Sequence, residues 1–331
     1  MKKIAIITMR AGRGHLSAAS ALHEAFRQHD TVTDVIDVGT LISEALPEYT
    51  SSIRILNNAI SKNFDIDFGG FAESAVEEAR GLSITGHGLE SYDEIVSVAP
   101  IYNGVIVRAL KGKKPRFWVY PVDLGEVVPG YWIDEHTTNL LGFGDYHHVD
   151  GWYAVPGLPL RRQFFRAGQI IPYGRDVYGR GVLVTCGGFG HELTLSIARA
   201  LRGISSPVTF MCGDNYDLAI SLDYLFLPYK WQAVYGRLDA VDYDQHDIVI
   251  GTGGAITAFE AAARGKHLIC IPSRTLGDVQ RFTEQCLKST GNGTVTKLED
   301  LADTVHDKWH QPVPGIIHDG AKAAAAIVMG A

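Results

Sequence analysis

The segment Asp247–Gly265, DIVIGTGGAITAFEAAARG, contains the pattern that decides the fold. Its β-branched residues Ile248–Ile250 predict a buried strand, glycines follow, and small and apolar residues from Ala255 onward predict a helix. A glycine-rich turn between a buried strand and a helix is typical of an open parallel sheet that binds an anion at the helix N-terminus. Glu260, in the middle of that helix, is placed to accept hydrogen bonds from hydroxyl groups.

Two further glycine turns occupy the same position between a strand and a helix. Gly12-Arg13-Gly14-His15 follows an apolar run at residues 4–9, and Gly187-Gly188-Phe189-Gly190 follows another at residues 181–185. Apolar runs of strand length alternate with helical patterns along the chain, which predicts parallel sheets covered on both faces. We therefore expect an α/β fold of two Rossmann-like domains facing across a cleft. The expected segments are residues 1–160, a linker rich in Pro and Gly at 161–178, residues 179–316, and a C-terminal helix at 317–331 that could pack on either domain.

Composition narrows the functional classes. The 331 residues are 46% hydrophobic, which is enough for two cores, and the 36 glycines exceed the usual share. A net charge of −7 argues against nucleic-acid binding, and no glycine turn matches the P-loop motif. The four cysteines are widely spaced, which favours reduced thiols over disulfides or zinc. Because neither a membrane-spanning run nor a signal-peptide pattern is visible, we expect a cytoplasmic location.

Several motifs together point to one family. The first motif is Gly12-Arg13-Gly14-His15, which is followed by Ala18-Ala19. The second is Pro121-Val122-Asp123, which is followed by Gly130-Tyr131-Trp132. The others are Pro156–Arg161 and the segment at 247–265. With these motifs most of the chain resembles the two-domain GT-B glycosyltransferases that use UDP-sugars. The nearest are plant monogalactosyldiacylglycerol synthase and bacterial diacylglycerol glucosyltransferases, with the N-acetylglucosaminyltransferase of peptidoglycan lipid synthesis more distant. The resemblance implies an inverting, metal-independent hexosyltransferase that needs no cofactor besides its UDP-sugar co-substrate.

The resemblance also implies which residues bind the donor. Glu260 would hold the ribose, and Asp278 and Gln280 would contact the sugar. The diphosphate would lie on the third glycine turn and the first helical residues, at Gly253, Gly254, Ala255 and Thr257. The remaining expected contacts are the backbone at Arg237 and Leu238 for uracil, Gly188 and His191 near a phosphate, and Gly12, Arg13 and Gly14 as the acceptor-side loop.

An inverting transfer needs a base that takes a proton from the acceptor hydroxyl. His15 stands at a predicted helix N-terminus, where the helix dipole disfavours the imidazolium and keeps the ring able to accept a proton. Asp123 ends another predicted strand of the same domain. Two assignments stay open, because Asp123 could orient His15 or could itself be the base while His15 binds the acceptor.

Three other motifs offer metal sites, and we discount each of them. Asp65-Ile66-Asp67 and Asp242-Tyr243-Asp244 match the Asp-x-Asp motif of single-domain glycosyltransferases, but neither follows a long apolar strand. His147-His148 with Asp150 is better explained as a loop cap. No metal site is therefore expected.

The acceptor is the least constrained part of the prediction. Residues 40–80 form an expected insertion with seven acidic and three basic residues, which weakens attraction to an anionic membrane. The expected partners are a UDP-sugar and a hydroxyl acceptor, lipid-type in preference to a soluble small molecule, with peripheral contact at the inner face of the membrane. A UDP-sugar 2-epimerase and a non-catalytic nucleotide-sugar-binding protein remain as alternatives from other classes.

Overall fold

The computed structural model contains two six-stranded sheets, one in each of two units of the chain. Among the described residues, the first unit comprises those as far as Arg162 together with those from His318 onward, and the second comprises those from Gln163 to residue 313. The described residues are 1–9, 13–43, 77, 88–123, 131, 138–141, 152–165, 181–187, 193–224, 230–236, 240–274, 277–309, 311, 313 and 318–330.

The first sheet has the strand order β2-β1-β3-β4-β5-β6, and each neighbouring pair is parallel. Its strands are β1 (Lys2–Thr8), β2 (Thr31–Asp37), β3 (Glu94–Ser97), β4 (Arg116–Val119), β5 (Thr138–Leu141) and β6 (Trp152–Ala154). The helices between them are α1 (Gly14–Phe26), α2 (Val38–Ser43) and α3 (Asn103–Leu110). Ile4–Ile7 of β1 are fully buried, as expected for a strand covered on both faces.

The second sheet has the order β12-β11-β10-β7-β8-β9 and is also parallel throughout. Its strands are β7 (Val182–Thr185), β8 (Val208–Met211), β9 (Trp231–Val234), β10 (Ile248–Gly251), β11 (His267–Cys270) and β12 (Gly293–Val295). The helices are α4 (Leu193–Ala200), α5 (Tyr216–Tyr224), α6 (Ala240–Asp244), α7 (Ala255–Ala263), α8 (Gly277–Thr290) and α9 (Leu301–Lys308). The predicted class of two Rossmann-like domains is thereby confirmed.

The last helix, α10 (Gly320–Gly330), belongs to the first unit, where it packs against α1. Its first residue has to be small, because a Cβ on Gly320 would lie 2.6 Å from the Leu158 carbonyl oxygen and from the Tyr120 hydroxyl. The sequence alone does not indicate which of the two domains this helix packs against. Within the described residues, no helix is both long and apolar enough to cross a membrane.

Both sheets contain a switch point, where the direction in which successive strands are added reverses. In the first sheet it lies between β1 and β3, and in the second between β7 and β10. Ligands of open parallel sheets bind at the carboxyl ends of the strands that flank such a point. The three glycine turns predicted from sequence follow β1, β7 and β10, so each of them follows a strand at a switch point.

Some elements lack a sequence signal. The strands β5 and β12 contain polar residues or glycine and are only three or four residues long, so they form no apolar run. Most of the expected insertion, at 44–76 and 78–80, lies outside the described residues. The four cysteines are free, and Cys186, Cys212 and Cys270 are buried.

Candidate active site

Three neighbouring strands of the first sheet bring the predicted catalytic residues together. His15 is the second residue of α1, which follows β1, while Val98 directly follows β3 and Asp123 lies four residues beyond β4. Because β1, β3 and β4 are adjacent and parallel, their carboxyl ends meet at one edge of the sheet. His15 and Asp123, which are 108 positions apart in sequence, therefore lie side by side.

The His15 ring is held in one tautomer. Its Nδ1 lies 2.9 Å from the backbone carbonyl oxygen of Val98, and the residue is 7% exposed. A carbonyl can only accept a hydrogen bond, so Nδ1 donates its proton and the neutral ring carries its lone pair on Nε2. That lone pair is the atom with which His15 can accept a proton.

The Nε2 of His15 lies 3.8 Å from Oδ2 of Asp123. This separation is too long for a hydrogen bond between the two side chains. It is short enough for the carboxylate to stabilise a positive imidazolium once Nε2 has gained a proton. The carboxylate offsets the dipole of α1, which begins at Arg13 and Gly14 with neither a side-chain cap nor an acidic residue in its first turn.

Tyr131 is a member of this cluster that sequence reasoning did not single out. Its hydroxyl donates to Oδ2 of Asp123 at 3.0 Å, and its side chain is fully buried. Burial and the negative charge of Asp123 raise the pKa of Tyr131 well above its ordinary value, so the phenol stays protonated. The Gly130-Tyr131-Trp132 motif carried part of the family resemblance, but nothing in its spacing links it to Asp123.

The loop that presents the Val98 carbonyl has a strained conformation. Ile101, a buried β-branched residue, has a φ of +74°, which such residues rarely adopt. The Ser97 hydroxyl holds the loop by donating to Asn103 Oδ1 at 2.6 Å and accepting from the Ala99 amide at 3.2 Å. Strained residues persist where their surroundings over-determine them, which here keeps the hydrogen-bond acceptor of His15 in place.

In the second unit, the turn between β10 and α7 leaves a helix N-terminus open. Gly253 has a φ of +76°, and a Cβ there would lie 3.3 Å from Cys270 Sγ. Gly254, the N-cap residue of α7, has ordinary backbone angles and nothing within 4 Å of the position of a Cβ. The helix has no side-chain cap and no acidic residue in its first turn, which contains Ala255 and Thr257. Such an end is suited to an anion such as a diphosphate.

Glu260 lies in α7 and is only 4% exposed. Its Oε2 accepts a hydrogen bond from the Tyr243 hydroxyl at 2.9 Å. Tyr243 is itself fully buried, and its ring meets that of Phe164 edge-on, with the centroids 5.5 Å apart. A buried carboxylate needs such a donor, and the partner fixes its orientation.

Tyr243 is the middle residue of Asp242-Tyr243-Asp244, the sequence that matches the Asp-x-Asp metal motif. The neighbouring carboxylate of Asp244 accepts hydrogen bonds from Arg264, and the Arg264 side chain is 3% exposed. This segment therefore contacts α7 in its middle, through Glu260, and at its C-terminal end, through Arg264. Within the described part of the chain, no group of three or more His, Cys, Asp or Glu side chains could hold a metal ion.

Gln280, in the first turns of α8, carries an unsatisfied polar atom. The residue is 3% exposed, and its Oε1 has no hydrogen-bond partner among the residues that the structure describes. One turn later on the same face of α8, Glu284 has its Cγ 3.7 Å from the position of a Cβ on Gly253. Gln280 thus lies one turn from a residue that borders the glycine turn, and its buried carbonyl oxygen can accept a hydrogen bond. Burial raises the pKa of Glu284 above its ordinary value.

The other predicted donor residues are only partly placed. Asp278 lies at the start of α8, next to Gly277. Gly12, Gly188, His191, Arg237 and Leu238 lie outside the described residues.

No protein-family profile and no curated protein sequence matches the chain. Solved structures match it over nearly its whole length. The kitacinnamycin glycotransferase has a TM-score of 0.66 at 14% identity, covering 99% of this chain and 98% of its own. MurG from Acinetobacter baumannii has a TM-score of 0.58 at 13% identity, covering 99% and 100%. The glycosyltransferase SsfS6 from Streptomyces sp. SF2575, complexed with thymidine diphosphate, has a TM-score of 0.63 at 12% identity and covers both chains completely. This chain therefore has the two-domain GT-B fold that its motifs predict.

Proposed function

We propose that this protein is an inverting glycosyltransferase that moves a hexose-type sugar from a UDP-sugar to a hydroxyl acceptor without a catalytic metal. The observation that carries the proposal is the pair formed by His15 and Asp123. A histidine whose Nε2 lone pair faces a carboxylate at the ligand-binding edge of the sheet is equipped for general-base catalysis. A protein that only binds nucleotide-sugars would not need this pair.

The reaction follows from those two side chains. Nε2 of His15 takes the proton of the acceptor hydroxyl as its oxygen forms a bond to the anomeric carbon of the sugar. The bond from that carbon to the diphosphate oxygen breaks, and the electron pair leaves with UDP. Because attack and departure take place on opposite sides of the carbon, the anomeric configuration inverts. Asp123 stabilises the imidazolium that forms.

The second unit supplies the donor site in this proposal. The amides at Gly254 and the start of α7 bind the diphosphate and absorb its growing negative charge, which is the role that a metal would otherwise fill. Glu260, oriented by Tyr243, accepts hydrogen bonds from the ribose hydroxyls. The unpaired Oε1 of Gln280 accepts one from a sugar hydroxyl. The fold neighbours support this assignment, since SsfS6 was solved with a nucleoside diphosphate.

For the acceptor we propose a lipid-type hydroxyl compound reached at the cytoplasmic face of the membrane. Support comes from the motif resemblance to lipid glycosyltransferases and from the fold shared with MurG. The acidic balance of residues 40–80 argues against strong binding to anionic lipid, so we expect weak peripheral contact.

The test is a matrix of donors and acceptors, read by nucleoside diphosphate release and by product mass. Donors should include both UDP- and dTDP-sugars, and acceptors should include diacylglycerol, polyprenyl lipids and soluble alcohols. Sugar transfer with inversion, retained in EDTA, supports the proposal. Interconversion of two UDP-sugars without any acceptor would instead indicate an epimerase, and binding without turnover across the whole matrix would indicate a binding protein.

A further inference from the structure

We propose that Tyr131 is a positioning residue that fixes the carboxylate of Asp123 towards His15, with His15, not Asp123, as the base. This inference rests on the proposed glycosyl transfer and settles which of the two side chains accepts the proton. It concerns a residue that neither the sequence motifs nor the fold comparison assigns to the reaction.

The hydroxyl of Tyr131 lies at the centre of the cluster. It is 3.0 Å from Oδ2 of Asp123, 3.4 Å from the Val98 carbonyl oxygen and 3.5 Å from the Val122 amide nitrogen. The Val98 oxygen already accepts the Nδ1 proton of His15 at 2.9 Å. The Val98 carbonyl oxygen therefore contacts both His15 and Tyr131. The Tyr131 hydroxyl in turn contacts both that oxygen and the Asp123 carboxylate.

A count of protons gives each contact its direction. The phenol has a single proton, the Val122 amide donates towards the phenol oxygen, and both Asp123 and Val98 present acceptors. The shortest of the three contacts is that to Asp123, so the phenol proton is directed at Oδ2. Because burial raises the pKa of Tyr131 well above its ordinary value, this donor persists over the whole working pH range.

The consequence for Asp123 follows from the geometry of that hydrogen bond. The bond donated by Tyr131 occupies a lone pair of Oδ2 and fixes the direction of the carboxylate. On His15 the ring proton is on Nδ1, so the lone pair on Nε2 can accept a proton. The acceptor proton therefore goes to Nε2, and the new N–H points towards Oδ2, 3.8 Å away. Asp123 then interacts with two donors and never needs to take the proton itself.

The deciding variant is Tyr131→Phe, which removes the hydroxyl and keeps the buried ring. We expect kcat to fall about 10- to 100-fold while KM for the UDP-sugar stays within about 2-fold of wild type, because the donor site is untouched. We also expect the acid limb of the kcat–pH profile to move to higher pH, since a carboxylate without its hydrogen bond attracts the histidine proton more strongly. A purely structural role for Tyr131 would leave that limb unmoved.

Two controls make the result specific. Tyr120→Phe removes another buried phenol of the same unit, one that donates to the Gly157 carbonyl at 2.8 Å, and should leave kcat and the pH profile unchanged. In the Asp123→Asn background, Tyr131→Phe should lower kcat less than 2-fold further, because it acts through Asp123. If Tyr131→Phe does not fold, replacing all tyrosines with 3-fluorotyrosine, a stronger donor, should move the acid limb to lower pH only when Asp123 is present.

The outcomes separate the inference from the function on which it rests. No transfer by the wild type across the donor and acceptor matrix overturns both. An active wild type with an unchanged Tyr131→Phe variant overturns the inference alone. Equal losses from Tyr131→Phe with and without Asp123, or an acid limb that does not respond to fluorotyrosine, also overturn it.

Discussion

The Tyr243 hydroxyl donates a hydrogen bond to Oε2 of Glu260 at 2.9 Å, and both side chains are buried. The two residues are 17 positions apart, on the short helix α6 and in the middle of α7. In the proposed donor site this bond orients the carboxylate that receives the ribose. It also supplies a donor for a charge that would otherwise be costly to bury.

Tyr243→Phe should therefore weaken both stability and UDP binding. Removing one partner of a buried hydrogen bond to a charged group lowers the free energy of unfolding by about 1–3 kcal/mol. We expect the Kd for UDP, measured by calorimetry, to rise about 5- to 10-fold, and that of Glu260→Gln to rise more. Tyr224→Phe, at a phenol that is 77% exposed, is the matched control and should change neither quantity. Unaltered UDP binding by Glu260→Gln would refute the ribose role.

In the glycine turn after β10, two substitutions can distinguish an effect of backbone strain on stability from an effect of ligand contact on UDP binding. Gly254→Ala should leave the free energy of unfolding within about 1 kcal/mol of wild type, because its φ is −59° and no atom lies within 4 Å of the new Cβ. The new methyl group would occupy the diphosphate position, so the Kd for UDP should rise at least about 10-fold.

Gly253→Ala should lower stability as well. Its φ of +76° disfavours alanine by about 1–2 kcal/mol, and the Cβ would press on Cys270 Sγ. Gly104→Ala in α3, where nothing lies within 4 Å, should affect neither UDP binding nor stability adversely. Normal UDP affinity in Gly254→Ala, measured on folded protein, would place the diphosphate elsewhere.

His15→Ala and Asp123→Asn should lower kcat without affecting UDP binding. General-base catalysis contributes about 100- to 10,000-fold, and we expect His15→Ala to lose at least about 100-fold. Steady-state kinetics with saturating acceptor will measure the loss. His23→Ala is a control on the same helix, since His23 bonds to Thr33 at 2.7 Å, away from the site. Near-wild-type kcat in both site variants would refute the catalytic assignment.

His267 should make the protein sensitive to acid. Burial lowers the pKa of this histidine from 6.5 to about 4, and its Nε2 pairs with Thr294 Oγ1 at 2.9 Å. The unfolded chain binds the proton more readily, so the stabilising contribution is complete above pH 6.5 and is lost as the pH falls towards 4. Near pH 4.5 the loss is about 2 kcal/mol. In His267→Gln, urea unfolding between pH 7 and 4.5 should show a drop smaller by about that amount, and an identical pH dependence would contradict the prediction.

Much of the framework follows from local sequence. Apolar β-branched runs such as Ile248–Ile250 favour buried strands, and glycine is favoured where φ is positive, as at Gly253. The helix predicted after Gly254 begins at Ala255, as expected. Glu260 and Gln280 are chosen from their distance along the chain to the glycine turn and from the family motifs, and their donor role stays a prediction.

The arrangement of the candidate site depends on contacts between distant parts of the chain. Tyr131 contacts Asp123 and Tyr243 contacts Glu260 through packing, and His15 finds its acceptor on Val98, 83 positions away. The periodicity of apolar residues indicates only whether a residue faces the core, because it depends on how a single helix or strand is buried. Which buried hydroxyl meets which carboxylate is determined when parallel strands align their carboxyl ends, and this alignment requires the whole sheet. Local patterns thus establish the two α/β units and their glycine turns, and only tertiary packing defines the hydrogen-bond partners that give His15 and Glu260 their chemistry.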